Sequence, residues 1–217
     1  MEVDGFQYGK VKNYMCNRNL VLSLPEWVEP FLQKQDSLFT DDEDKMKLVV
    51  KLSKLNVEHK TGGPFGAGIF ELESGKLIAV GVNVVIDSNC SLAHAEMMSI
   101  GLAQKKLKTF DLGAENIPAC VLVSSTEPCA MCLGAIPWSG VKRLICGARG
   151  QDACDIGFDE GVKVPNWVNT LESRGITVLR DVLRKEANEI LIKYKESGGL
   201  IYNGRQATFP KGQSGQN

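Results

Sequence analysis

Apolar and polar positions along this chain switch several times between a helical and an extended period. Met46, Leu48, Val49, Leu52 and Leu55 recur at helical spacing. Asp41, Asp42, Glu43 and Asp44 precede them, where acids favour a helix start, so the pattern predicts a helix ending near Glu58. His59 falls in the loop beyond it. A glycine-rich stretch over residues 61–70 reads as a strand that begins at a close backbone approach. Glu73-Ser74-Gly75 reads as a hairpin turn, and residues 77–86, rich in Val and Ile, as a second strand. Ser91 is placed to cap a helix over residues 92–107. Residues 120–124 form a short apolar strand. Pro128 suits the first turn of a helix that Pro137 would end near Ile136. Residues 141–146 and 176–179 read as strands and residues 166–172 as a helical turn. Residues 182–195 form an amphipathic helix with Leu183, Ala187, Ile190, Leu191 and Tyr194 facing inward.

Helices thus alternate with about five short strands, the signature of an α/β fold: a three-layer α/β/α sandwich around one mixed sheet. The expected organisation is an N-terminal arm over residues 1–40, a domain over 41–205 and a disordered tail over 206–217. Pro25, Trp27 and Pro30 interrupt any regular pattern in the arm, which is read as packed on the domain or on a partner subunit. The tail is rich in polar and small residues.

Composition narrows the function. The 217 residues carry 25 Lys and Arg against 26 Asp and Glu, a formal net charge of -1. The C-terminal helix is balanced too, with Arg184, Lys185, Lys193 and Lys195 against Asp181, Glu186, Glu189 and Glu196. A nucleic-acid partner, which needs several phosphate-neutralising cations, is therefore not expected. No apolar run is long enough to span a bilayer, and no secretion signal is legible at the N-terminus. Seven cysteines at modest density fit a reducing cytoplasm and not a disulfide framework. With only two histidines, His59 and His94, histidine chemistry has two candidates.

The candidate chemistry lies in His94-Ala95-Glu96 and Pro128-Cys129-Ala130-Met131-Cys132. Both segments fall near predicted helix starts, where thiol pKa values drop and thiolates bind metal. His94, Cys129 and Cys132 offer three ligands suited to zinc, leaving the fourth tetrahedral position open, as catalytic sites do. Two thiolates neutralise the ion's charge and weaken its acidifying effect on water. A nearby carboxylate to accept the proton is then useful, and Glu96 stands two residues from a ligand. Three other readings compete: a thioredoxin-like redox pair, which leaves His94 and Glu96 unexplained; a closed structural site that adds Cys90; and chance co-occurrence without metal.

At these residues the chain resembles the cytidine-deaminase-like superfamily and, more closely, the bacterial guanine deaminases of that fold. The likeness runs from about Gly62 to Tyr202. It rests on Gly62-Gly63-Pro64-Phe65-Gly66, Asn83, Ala93-His94-Ala95-Glu96, the segment from Glu127 to Ile136, and Ile156-Gly157-Phe158-Asp159-Glu160. The resemblance implies one zinc ion per chain and hydrolysis of guanine to xanthine and ammonia. It implies Glu96 and a second acid, Glu160, as catalytic groups. Asn83 would hydrogen-bond the base and Phe65 and Phe158 would flank it. Ala95 and Asp159 complete the base-binding set, Asp159 mainly by holding its loop. It further implies a homodimer, and a lid formed by Leu200-Ile201-Tyr202-Asn203-Gly204-Arg205 after the Gly198-Gly199 hinge. Many members carry Asp-Pro-Thr before Ala-His-Ala-Glu; here the chain reads Asn89-Cys90-Ser91-Leu92, which leaves one pocket wall open. The alternatives are another small amino-heterocycle, such as cytosine or an aminotriazine, and adenosine in tRNA.

Overall fold

The computed structural model describes residues 19–204. The tail expected over 206–217, the first eighteen residues of the arm, and Arg205 lie outside the described residues. A mixed five-stranded sheet runs in the order β2-β1-β3-β4-β5. Its strands are β1 (Gly66–Glu71), β2 (Leu77–Val82), β3 (Cys120–Thr126), β4 (Arg143–Ala148) and β5 (Thr177–Leu179). β1 is antiparallel to both β2 and β3, whereas β3–β4 and β4–β5 are parallel.

The two-residue period of the strands sorts the core into two faces. Ile69, Leu122 and Leu144 point to one side, with Ala95, Ile100, Leu133, Ile136 and Leu171. Phe70, Val121, Val123 and Ile145 point to the other, with Met46, Val49 and Leu52. The first face is covered by α4 (Ala95–Leu107), α5 (Ala130–Ser139) and α7 (Trp167–Glu172). The second is covered by α2 (Asp42–Glu58), with α8 (Arg184–Glu196) packed beside it on β4. The three-layer expectation therefore holds. Two short helices, α1 (Val28–Leu32) and α3 (Val85–Ser88), lie ahead of α2 and after β2. Trp27, next to α1, stacks on His59 at 5.2 Å and donates Nε1–H to Thr61 Oγ1 at 3.0 Å.

Four local expectations are corrected. First, β2 stops at Val82, four residues early, because the chain curls into α3, where Ser88 Oγ–H closes on Val84 O at 2.6 Å. Second, Ser91 caps nothing: α4 starts at Ala95 with His94 as its N-cap. Ala93, fully buried, accepts from Val84 N–H and donates to Cys90 O, and this docked turn delays the helix by three residues. Third, Pro128 lies before the cap of α5, which is Cys129, and Pro137 sits inside that helix. In the last turn a proline removes one internal hydrogen bond, Leu133 O being the acceptor that loses its donor. Termination falls to Gly140, whose φ of 83° glycine adopts without a Cβ penalty. Fourth, a helix, α6 (Gly150–Ile156), stands where the sequence pattern predicts no element.

No helix among the described residues is long and apolar enough to cross a membrane. The six described cysteines are all free thiols.

Candidate active site

The site forms where the C-terminal ends of β2, β3 and β4 meet the start of β1, the end of an α/β sheet at which ligands bind. Two helices aim their N-termini into it. His94 and Cys129 occupy the same position in each, the N-cap, with extended backbone (φ/ψ -71°/157° and -65°/172°). Neither side chain caps its own helix, so both are free to bind elsewhere. Cys132 lies three residues into α5 and turns back to the same point. His94 Nδ1 is 3.5 Å from Cys129 Sγ and 3.6 Å from Cys132 Sγ. All three donor atoms lie within 4.8 Å of one another.

The donor set fits zinc: one imidazole nitrogen and two sulfurs around a common point, on three of four tetrahedral positions. The local charges point the same way. The Cys129 thiol is held down to about 4 by the hydrogen bond from Cys132 and by His94, so a thiolate stands ready. Cys132, bonded to that thiolate and buried near Glu96, is pushed far up. Burial raises Glu96, and the Cys129 thiolate adds to the effect. His94 is lowered by burial, but its bond to Cys129 and the charge of Glu96 outweigh this and leave it raised. Such mutual repulsion among anionic groups is relieved by a divalent cation at their centre. Cys90 stands apart: it packs against the core on the α2 side, and among the described residues the metal-ligand group consists of His94, Cys129 and Cys132. That removes the closed structural reading, and His94 set against both thiols gives the histidine a place that the redox reading leaves unexplained.

Glu96 is the second residue of α4 and only 6% exposed. Its Oε1 accepts from Ser124 Oγ at 3.2 Å and its Oε2 from Cys132 Sγ at 3.5 Å. The carboxylate is thus fixed against the metal ligands from the side of β3. The pocket beside it is lined by Phe65, His94, Glu96, Glu127, Cys129, Phe158, Asp159, Glu160 and Tyr202. Phe65 and Phe158 meet edge to face at 5.0 Å. Asn83, 1% exposed, follows β2 and shares a backbone bond with Phe65. Its Nδ2 donates to Tyr202 Oη, and its Oδ1 accepts from Val85 N–H at 3.4 Å. Glu160 is in the loop after α6, where burial pushes its pKa up to about 7 against the opposing pull of Lys163. Asp159 holds that loop: its N–H donates to Asn203 Oδ1 at 2.8 Å, and its Oδ1 accepts from Gly161 N–H at 2.9 Å. Ala95 is fully buried in the core and off the pocket wall, so its backbone at the helix start is what it can offer a ligand.

Four residues of this site escaped individual notice in the sequence. In the sequence Tyr202 stands out only as part of the lid segment, yet its ring lies 6.3 Å from His94 and 5.7 Å from Phe158. Glu127 precedes the Pro-Cys motif; its Oε2 accepts from Gly150 N–H at 3.0 Å and its Oε1 from Arg180 Nε at 2.6 Å, which ties α6 to the metal helix. Asn56, fully buried in α2, donates to Gly63 O and Asn83 O at 2.9 and 2.8 Å and so joins the two pocket edges. Lys163 pairs with Glu160. Only an aromatic after the Gly-Gly hinge gave a sequence signal; the other three contacts are tertiary.

A five-stranded α/β/α sandwich with a His-Cys-Cys metal triad and a buried glutamate beside it defines a zinc-dependent hydrolytic deaminase. Residues 39–148 match the cytidine and deoxycytidylate deaminase zinc-binding region, and the chain belongs to that family. It is 43% identical over 115 residues to the guanine deaminase of Bacillus subtilis, a match spanning 53% of this chain and 69% of that protein. A solved guanine deaminase from Nitrosomonas europaea is 44% identical, with a TM-score of 0.79, over 83% of this chain and 98% of its own. A further structure, in complex with 2,6-diaminopurine, is 45% identical with a TM-score of 0.81, over 86% of this chain and 98% of its own.

Proposed function

We propose that this protein deaminates free guanine to xanthine and ammonia. The observation that carries the reading is the presence of two carboxylates, the buried Glu96 and the largely buried Glu160, on different elements around one pocket that opens onto His94 and Cys129 of the metal triad. The likeness to proteins named guanine deaminases supports the choice of base. Zinc held by His94, Cys129 and Cys132 would supply a Lewis acid and a water acidified enough to attack at neutral pH.

The chain's own groups move the protons. A C–O bond forms at C2 of guanine as the water adds, and Glu96 takes its proton and delivers it to a ring nitrogen beside C2. The exocyclic amine must then gain a proton before its C–N bond breaks. Glu160, held near neutrality, donates that proton, and the remaining hydroxyl proton returns to a carboxylate as the carbonyl of xanthine forms. Asn83, whose amide is paired with Tyr202 Oη, would orient the base once that contact opens, and Phe65 and Phe158 supply an apolar wall. Tyr202 closes the pocket from the C-terminal segment.

The direct assay is ammonia release by zinc-loaded protein from guanine, adenine, cytosine, an aminotriazine and a tRNA carrying anticodon adenosine. Guanine is expected to be the good substrate, because a site built to pair polar edges rejects a base lacking them by a factor of about 10⁴. Efficient action on tRNA with none on guanine would refute the assignment.

We also propose that the protein acts in the cytoplasm, where its metal-binding thiols stay reduced, and that it forms a homodimer. The α5 face supports a second copy as partner: Trp138 and Val162 are 85% and 97% exposed beside Leu133, Pro137, Val164 and Trp167. Light scattering is expected to give a dimer mass for the native protein and a monomer mass for Trp138→Glu. A native monomer mass would contradict this.

A further inference from the structure

Lys163 lies in the irregular loop between α6 and α7, yet its side chain is largely buried. Its Nζ is 3.1 Å from Glu160 Oε2, and the two side chains are only 16% and 11% exposed. The other oxygen, Oε1, takes no hydrogen bond from the described residues, and Glu160 faces the pocket. The space for the ammonium comes from Gly150, the first residue of α6. A Cβ there would meet Lys163 Nζ at 2.6 Å, with Glu127 Oε2 at 3.5 Å and Glu160 Oε2 at 3.7 Å. The ammonium therefore lies against the bare Cα of Gly150 and pairs with Glu160. The loop is held at both ends of this contact: Glu160 O accepts from Ala130 N–H in α5 at 2.9 Å, and Gly161 turns the chain at φ 70°.

We propose that Lys163 is a positioning residue for the reaction: its ammonium grips Oε2 of Glu160 and thereby presents Oε1 to the leaving amine of the substrate. This rests on the assignment of Glu160 as a proton carrier. An unpaired carboxylate in that position would rotate freely about its last bonds, and a proton-transfer group works only within hydrogen-bond reach of its target. Lysine suits the place because a compact ammonium on a flexible stem fits a gap that a guanidinium fork would fill differently. Gly150 belongs to the same device, since any side chain at that position would push the ammonium away.

The test is a double-mutant cycle on guanine turnover, using full-length zinc-loaded protein and reading kcat, KM, zinc content and Tm. Lys163→Met is expected to lower kcat about tenfold or more while KM stays within about threefold, since the group acts on the chemical step. Lys163→Arg is expected to recover only part of that loss, because its fork fits the gap less well, and Gly150→Ala to reproduce part of it. The double variant Lys163→Met, Glu160→Gln is expected to match Glu160→Gln alone, because a residue acting only through Glu160 has nothing left to position. Losses that multiply in the double variant would overturn the inference. So would a Lys163→Met enzyme at wild-type rate alongside a crippled Glu160→Gln. A Glu160→Gln enzyme at wild-type rate would instead remove the proton-carrier role of Glu160, and this inference with it. If Lys163→Met does not fold, the Gly150→Ala and Lys163→Arg arms decide.

Discussion

Replacing Glu96 by glutamine is expected to lower kcat on guanine by about 10³ or more, within the range that positioned proton transfer contributes. The substitution is nearly isosteric. Glutamine can keep a partner in Ser124 Oγ, now 3.2 Å from Oε1, so α4 and the pocket wall are expected to stay in place. What it cannot do is accept a proton from water and pass it on. Glu96 is buried, and burial with the adjacent Cys129 thiolate raises its proton affinity, which is the direction a proton-accepting group needs. Zinc content and Tm are expected to match the wild type, which separates a chemical defect from a structural one. A Glu96→Gln protein that retains zinc and turns guanine over at near the wild-type rate would remove Glu96 from the mechanism.

Cys132→Ser is expected to lose the metal and all measurable deamination together. Cys132 is fully buried, with its Sγ 3.6 Å from His94 Nδ1. A serine hydroxyl does not ionise at neutral pH and is a harder donor than a thiolate, so the three-ligand set falls to two. Cys129→Ser is expected to do the same. Cys90→Ser provides the control, because Cys90 packs with the α2-side core and lies outside the ligand group. It is expected to keep one zinc per chain and normal activity. Metal analysis after dialysis reads both results. Zinc lost from Cys90→Ser, or retained in Cys132→Ser, would contradict the site as described.

The sheet and its main helices were legible because their signals are local. The two-residue period of β3 and the helical spacing of α2 both survive into the packed structure, and Asp41 caps α2 by accepting from Asp44 N–H at 2.7 Å. The metal ligands were legible because spacing alone puts Cys129 and Cys132 on one turn. Boundaries failed where tertiary contacts decide them. Ser91 is a good cap in isolation, but the docking of Ala93 under β2 shifts the helix start onto His94. That shift matters chemically, since it places His94 and Cys129 at equivalent N-caps facing the same point. The seven residues of α6 carry too short a pattern to read. Their start depends on Asp152, which accepts from Arg149 N–H at 2.7 Å and from Arg184 Nε at 2.9 Å, more than thirty residues away in the chain. Lys163 and Asn56 were invisible for the same reason: nothing in a loop lysine or a helix asparagine announces a partner across the fold.

Every residue role assigned to this pocket depends on zinc-dependent conversion of guanine. The decisive measurement follows xanthine and ammonia formed from guanine by the purified protein, first as isolated, then after removal of metal by a chelator, and then after zinc is restored. The expected result is one xanthine and one ammonia per guanine, activity lost with the metal, and recovery that saturates at one zinc per chain. Guanine left unchanged by protein carrying a full complement of zinc would contradict it.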